Sequence, residues 1–214
     1  MSWKKSVFEN FKLYAVTDLR EEDPAIFRKV EAAYRGGADI VQLRSKNLTD
    51  ASLYRMGIRM RKIASRFRKL FFVNDRPDLA LAVGADGIHV GQDDLPVRFV
   101  RKIVGKKFFV GLSTHNLAQA LQAAGEDADY IAVGPIFGTP TKPTYRPVGL
   151  DLIRKLRGRI RIPFVCIGGI DQKNIRDVLK AGASRVAVVR AIFDAPDPFR
   201  AAQTLKETLE TYAR

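Results

Sequence analysis

Short runs of β-branched and aromatic residues recur along this chain, separated by stretches whose apolar positions fall every three or four residues. The runs are "FKLYAVT" from Phe11, "IVQL" from Ile40, "LFFV" from Leu70, "GIHV" from Gly87, "FFVGL" from Phe108, "YIAVG" from Tyr130, "PFVCIG" from Pro163 and "RVAVV" from Arg185. Runs that are apolar almost throughout predict strands buried on both faces. Between them, "TDASLYRMGIRMRKIA" from Thr49 opens with capping residues and sets Leu53, Met56, Met60 and Ile63 at helical spacing. "NLAQALQAA", "GLDLIRKL", "NIRDVLKAG" and "DPFRAAQTLKETLETYA" read in the same way. Several helix ends pass through Gly straight into a strand, in "GGADIVQL" from Gly36, "VGADGIHV" from Val83 and "AGASRVAVV" from Ala181; "EDADYIAVG" from Glu126 is a variant without the glycine. Glycine suits the left-handed residue that ends a helix and turns the chain.

Strands and helices in strict alternation predict an α/β fold, a single (β/α)8 TIM barrel over residues 1–214. An open doubly wound sheet is the alternative. Its fingerprint is missing, because "YAVTDLREED" follows the first strand where Gly-x-Gly-x-x-Gly would stand. The 214-residue length suits one domain of the barrel kind.

Composition changes this picture little. The one cysteine, Cys166 in "PFVCIGG", cannot form an internal disulfide and reads as a small buried hydrophobe, which fits a reducing, cytoplasmic compartment. The opening "MSWKKSVFENFK" has no apolar leader core, and no window approaches the roughly 20 apolar residues of a membrane span. A net charge of +14 raises nucleic acid as a partner. The basic residues are dispersed, however, and the densest run, Arg59 to Lys69, falls on a helix with Met60, Ile63, Ala64 and Phe67 on its apolar side. That run reads as a solvated face, and no nucleic-acid-binding module accompanies it. The charge instead favours small polyanionic ligands. Neither nucleic acid nor membrane is expected as a partner, and the sequence is compatible with a homo-oligomer.

In such a barrel the chemistry lies at the C-terminal ends of the strands. Those ends carry Gln42, Arg44 and Lys46 after the second strand, Asn74 and Asp75 after the third, and Gln92, Asp93 and Asp94 after the fourth. Ser113, Thr114 and His115 follow the fifth, and the loop "GPIFGTPTKPTYRPVG" after the sixth brings Thr139, Thr141 and Lys142. Gly168-Gly169 and Val189-Arg190 end the last two. Arg44, Lys46 and Lys142 converge on one mouth, where they would bind a multiply charged anion. Asp75 and Asp94 sit badly beside phosphate unless a cation lies between, and hard oxygen ligands shared with phosphates are how Mg²⁺ is usually held. The competing reading is that both aspartates cap the helices that follow. Gly168-Gly169 can bring bare N–H groups close to a second phosphate. His89, alternating inside "GIHVG", is expected as a packed, hydrogen-bonded imidazole, and His115 is the histidine better placed to touch substrate.

The stretches "VQLRSK", "VNDRPDLALAVGADGIHVGQDDLP", "GLSTH", "VGPIFGTPTK", "IPFVCIGGI" and "GASRVAVVRAIF" together resemble the thiamine-phosphate synthase family, in order and over nearly the whole chain. The resemblance implies a Mg²⁺-dependent transferase that joins a 4-amino-2-methyl-5-hydroxymethylpyrimidine diphosphate to a 4-methyl-5-(2-phosphooxyethyl)thiazole, releasing pyrophosphate. It implies that Gln42, Leu43, Arg44, Ser45, Lys46, Asn74, Ser113 and Lys142 bind the pyrimidine diphosphate, with Arg44, Lys46, Ser113 and Lys142 as the catalytic set. Asp75 and Asp94 would hold Mg²⁺. Thr139, Pro140, Thr141, Gly169, Val189 and Arg190 would hold the thiazole phosphate. Two rivals are a thiazole tautomerase of the same pathway and a non-catalytic phosphate-binding regulatory barrel. The first needs neither a diphosphate grip nor paired carboxylates, and the second has little reason to keep the polar set together.

The sequence departs from the family pattern at Arg190, where a small residue, often Ser, is common. Its amide survives the change, and its guanidinium is expected either to reinforce the thiazole phosphate or to fold away over the helix. In the reinforcing version Arg190→Ser weakens thiazole-phosphate binding and reduces its salt dependence; titration at two ionic strengths with both unchanged would defeat that version.

Overall fold

The computed structural model describes residues 3–141 and 144–212. Its strands are β1 (Leu13–Val16), β2 (Ile40–Leu43), β3 (Leu70–Asn74), β4 (Gly87–Val90), β5 (Phe109–Thr114), β6 (Tyr130–Val133), β7 (Phe164–Ile167) and β8 (Val186–Val188). All pair in parallel with their sequence neighbours, and β8 pairs back on β1, closing the predicted barrel. Helix α1 (Trp3–Asn10) precedes the first strand. The helices between strands are α2 (Ala25–Arg35), α3 (Asp50–Arg66), α4 (Pro77–Ala82), α5 (Val97–Val104), α6 (Leu117–Ala124), α7 (Gly149–Leu156) and α8 (Ile175–Lys180). The short α9 (Arg190–Phe193) and α10 (Pro198–Thr211) follow β8. Among the described residues no helix is long and apolar enough to cross a membrane.

The capping residues act as their types predict. Thr49 accepts from the Ser52 amide at the start of α3, Asn116 from Gln119 at α6, and Asp197 from Arg200 at α10. Gly37, Gly84 and Gly182, which lead out of α2, α4 and α8, take positive φ angles of 102°, 64° and 114°.

Side chains alternate between two apolar compartments. Tyr14, Val16, Ile40, Phe72, Tyr130, Ala132, Val165 and Ala187 fill the barrel, whereas Ala15, Val41, Leu43, Val73 and Val133 pack outward under the helices. Phe8 and Phe11, around the end of α1, join the inner compartment, with the Phe8 ring stacked on Phe109 at 3.9 Å. Space for this packing depends on Gly111: a Cβ there would lie 2.1 Å from the Tyr130 ring. Cys166 is fully buried, and burial pushes its thiol well above the ordinary range, as expected of an inert core residue.

The lower end of the barrel is tied by carboxylates that the sequence patterns had marked only as helix-to-strand punctuation. Asp39 accepts the amides of Lys12 and Leu13 at 2.9 and 3.2 Å, Asp86 that of Phe71 at 2.9 Å, and Asp129 that of Val110 at 2.7 Å. Each thus stands at the entry of an even-numbered strand and holds the start of the strand before it. Cations balance the buried charge: Lys69 and Lys206 on Asp39 at 2.7 and 2.6 Å, Lys4 and Arg61 on Asp86, and Arg101 on Asp129 at 2.7 Å. The run Arg59–Lys69 is largely the solvated face expected, with Arg59, Lys62, Arg66 and Arg68 exposed, but Arg61 turns inward onto Asp86 and Lys69 onto Asp39. Arg59 lies 4.0 Å over the Phe27 ring. The apolar side of that helix is as expected, with Met60, Ile63 and Ala64 buried.

Burial alone would raise the Asp39 carboxyl; the ammonium groups of Lys69 and Lys206 outweigh it and hold the carboxyl below its ordinary value. A depressed folded value stabilises the protein above the unfolded value of about 3.9 and loses that contribution as pH falls through the folded one. Asp39→Asn is expected to cost about 3 kcal/mol at neutral pH, since it leaves two lysines and a strand start uncompensated. It should also flatten the acid limb of stability against pH, read by urea unfolding at a series of pH values.

Candidate functional site

The C-terminal ends of the strands open on a cavity of about 330 Å³. Gln42, Arg44, Asn74, His89 and Ser113 line it from β2 to β5, and Gly168, Gly169, Val189 and Arg190 line it from the ends of β7 and β8. Thr139 and Thr141 reach it from the loop after β6, and His115 stands beside them. Lys142 lies outside the described residues.

The run from Gln42 to Lys46 does not act as one surface, because the pleat of β2 and the turn after it send successive side chains different ways. Gln42 points inward and donates to the Tyr14 hydroxyl at 2.5 Å. Leu43 is packed in the outer core, and the Ser45 hydroxyl donates to the Leu19 carbonyl while accepting the amides of Asn47 and Leu48. The side chains of these two residues therefore shape the wall without facing the cavity. Arg44 does face it, and its guanidinium is ion-paired with Asp18. Its backbone N–H donates to the Thr17 hydroxyl at 2.9 Å, and that hydroxyl donates back to its carbonyl. The Thr17-Asp18 pair after β1 is a buttress for Arg44. Only the inward register of Arg44 beside Asp18 reveals it.

Lys46, Asp75 and Asp94 form a second group at the rim, off the cavity wall. The Lys46 ammonium stands 2.5 Å from an Asp75 carboxylate oxygen. Asp94 accepts the Gly91 amide at 2.7 Å and lies against Asp75. Neither aspartate caps a helix: the N-cap residues of α4 and α5 are Arg76 and Pro96, and neither helix has a side-chain cap. Asp75 instead holds a left-handed φ of 62°, with its amide bonded to the His89 carbonyl at 2.8 Å. An aspartate tolerates that conformation better than most residues, and here it turns the carboxylate towards Asp94.

Burial and the neighbouring Asp94 raise the Asp75 carboxyl above its ordinary value, and Lys46 only partly offsets them. Two carboxylates crowded together, one of them also held by the Lys46 ammonium, are oxygen donors that a hard divalent cation fits. Among the described residues no three His, Cys, Asp or Glu side chains converge to form a full cage. The pair therefore suits Mg²⁺, which is commonly bound by one or two carboxylates with phosphate and water completing its shell.

At the opposite end, Gly168 and Gly169 take φ angles of 101° and 63°. A Cβ on Gly169 would lie 2.7 Å from the Gly138 carbonyl, so the close approach to the loop after β6 requires glycine. The turn is clamped from behind by Asn174, which donates to the Gly169 carbonyl at 2.8 Å and accepts the Asp171 amide at 3.0 Å. Arg190 is exposed and lines both the cavity and a neighbouring cleft that includes Asp18, Pro140 and Asp194. Pro140 belongs to that cleft and not to the main cavity wall.

His89 sits inside the barrel as expected, with Nδ1 2.9 Å from the Tyr130 hydroxyl and Nε2 2.9 Å from the Ser113 hydroxyl. His115 bonds the Gly134 carbonyl through Nδ1 at 2.6 Å, and its ring lies 4.5 Å from that of Tyr145 in the loop after β6. Tyr14, Tyr130, Asp18 and Asn174 were not recognisable as site residues. The tyrosines lie in the lower half of strands, and the other two act through neighbours brought close by folding.

Comparison with known proteins agrees with this geometry. A family model described as thiamine monophosphate synthase matches residues 13–192. The thiamine-phosphate synthase of Chloroflexus aurantiacus is 46% identical over 199 residues, covering 92% of this chain and 92% of that protein. That of Shouchella clausii is 43% identical over 203 residues, covering 94% and 97%. Among solved structures, thiamine phosphate pyrophosphorylase from Pyrococcus furiosus superposes with a TM-score of 0.88 at 36% identity, covering 95% of this chain and 98% of that one. Fold, strand-end residues and relatives converge, and the chain belongs to the thiamine monophosphate synthase family.

Proposed function

We propose that this protein, acting as one barrel domain, joins the pyrimidine diphosphate to the thiazole phosphate and releases pyrophosphate, forming thiamine phosphate. The observation that carries the reading is one cavity with a different anion-binding device at each end. Arg44 on the wall, with Lys46 and the Asp75–Asp94 pair at the adjoining rim, stands at one end, and a clamped glycine turn beside Arg190 at the other. A thiazole tautomerase would need only the second. A regulatory barrel would have no use for two mutually repelling carboxylates at its rim.

In this reading Gln42, Asn74 and Ser113 orient the pyrimidine diphosphate, while Arg44, Lys46 and Lys142 neutralise charge that accumulates on the departing pyrophosphate. The backbone of Leu43 and Ser45 shapes the same wall. Mg²⁺ bound by Asp75 and Asp94 would supply Lewis-acid neutralisation of the same phosphates. Thr139, Thr141 and the backbone N–H groups of Gly169, Val189 and Arg190 would hold the thiazole phosphate, with Pro140 shaping their loop. Departure of pyrophosphate leaves a methylene cation stabilised by the aminopyrimidine, and the thiazole nitrogen attacks it. The chain then contributes position and electrostatics; the step needs no protein nucleophile. Small-molecule substrates and a cytoplasmic setting belong to the same proposal.

The test is a coupling assay with both substrates and Mg²⁺, reading thiamine phosphate as fluorescent thiochrome, beside a chelated control. Product that disappears with chelation is expected; no product from folded protein that still binds the thiazole phosphate would reject the synthase. Asp75→Ala and Asp94→Ala should each lower turnover by orders of magnitude with cooperative unfolding retained.

A raised carboxyl works against folding as pH climbs through its folded value, so at neutral pH without metal the Asp75 charge is a liability. Asp75→Asn keeps a residue that tolerates left-handed backbone. It should melt at or above the wild-type temperature in chelator, and should gain less than wild type when Mg²⁺ is added. A clear fall in melting temperature in chelator would show the charge to be structural.

A further inference from the structure

Beneath the cavity floor, side chains from five strands form one continuous hydrogen-bonded chain. Gln42 on β2 meets the Tyr14 hydroxyl of β1 at 2.5 Å, and Tyr14 meets the Tyr130 hydroxyl of β6 at 3.2 Å. Tyr130 meets Nδ1 of His89 on β4, and Nε2 of His89 meets the Ser113 hydroxyl of β5, both at 2.9 Å. Both ends, Gln42 and Ser113, line the cavity, whereas Tyr14 and Tyr130 are buried in the barrel. Burial holds both phenols far above their ordinary values, so each stays a neutral hydroxyl with one proton to give.

That single proton per hydroxyl gives the chain a direction. Gln42 turns its amide nitrogen to Tyr14 and can only donate there. Tyr14 must then pass its own proton to Tyr130, and Tyr130 to Nδ1 of His89. With Nδ1 accepting, the imidazole proton sits on Nε2 and points to the Ser113 oxygen, which leaves the Ser113 proton for the cavity. The opposite sense, with the Gln42 amide as it stands, would strand the Tyr14 proton in an apolar floor without an acceptor.

We propose that Tyr14, Tyr130 and His89 are positioning residues that couple the polarity of Gln42 to that of Ser113. Gln42 presents a carbonyl to the ligand, and Ser113 presents a proton. Reversing either end reverses the other. The consequence for recognition rests on the function proposed above: a substrate matching this acceptor-and-donor pair is favoured, and one with the inverted pair leaves buried groups unpaired. Tyr14 and Tyr130 act on substrate only through the members of the chain that line the cavity, and His89, itself on the cavity wall, aligns Ser113; their effect is on selectivity and on that alignment.

The chain has two histidines, so heteronuclear NMR of isotopically labelled histidine reads the tautomer directly, with His115→Asn identifying which signals belong to His89. Wild-type protein is expected to carry the His89 proton on Nε2; a proton on Nδ1 would overturn the assigned direction. In Gln42→Glu the carboxylate can only accept, so the Tyr14 proton turns to it and the His89 proton should move to Nδ1. A tautomer unchanged by that substitution would overturn the coupling. If Gln42→Glu does not fold, a double-mutant cycle decides. Ser113→Ala should cost about threefold less in kcat/KM for the pyrimidine diphosphate when made in Tyr130→Phe than in wild type. Strictly additive losses would show Ser113 acting without the chain beneath it. The tautomer measurements need no substrate and judge the coupling alone, whereas wild-type protein without synthase turnover would count against the proposed reaction.

Discussion

A parallel strand buried on both faces must have both of its edges hydrogen-bonded, and in this chain the pairing of β8 with β1 meets that demand. The closure has two consequences. It makes an interior that must be filled from within, and it gathers the C-terminal ends of all the strands around one opening. Every candidate ligand-binding group owes its position to that second consequence, because residues as distant as Gln42 and Arg190 share a cavity only once the sheet is closed.

Polar groups inside the closed barrel are sorted by height. At the lower end the carboxylates of Asp39, Asp86 and Asp129 accept strand amides and are each met by basic side chains. Buried charge is tolerated there because it is paired and hydrogen-bonded. In the middle, neutral hydroxyls, an imidazole and an amide satisfy one another without net charge. At the mouth Arg44 is paired with Asp18, and Asp75 is crowded between Lys46 and Asp94, where solvent and ligand can act on the charge. A binding site at one end of a rigid core requires such an arrangement at its open end.

The rim shows the tension between stability and function most directly. Asp75 sits in left-handed backbone with its carboxylate against Asp94, and its charge is opposed by burial and by that neighbour. A packing argument would place neither residue there, while a cation-binding argument places both. The clamped Gly168-Gly169 turn is the neutral counterpart at the other end, built from backbone N–H groups in place of charge.

Much of the fold and part of the site were legible in the chain itself. The eight apolar runs coincide with β1 to β8, and Thr49, Asn116 and Asp197 cap the helices they precede. Such signals are local: they depend on residue type and spacing within a few positions. Strand ends also named Gln42, Arg44, Asn74, Ser113, Gly169 and Arg190, all of which line the cavity. What the chain could not disclose were contacts between residues far apart in sequence. Asp18 on Arg44, Arg61 on Asp86 and the two tyrosines under His89 were all of this kind. Leu43 and Ser45 belonged to a promising stretch, and the pleat and turn directed their side chains elsewhere. Sequence by itself determined the elements and the residue types at their ends, because local sterics and burial act over short spans. Only the tertiary structure decided which partner each polar group meets, because barrel closure brings those partners together.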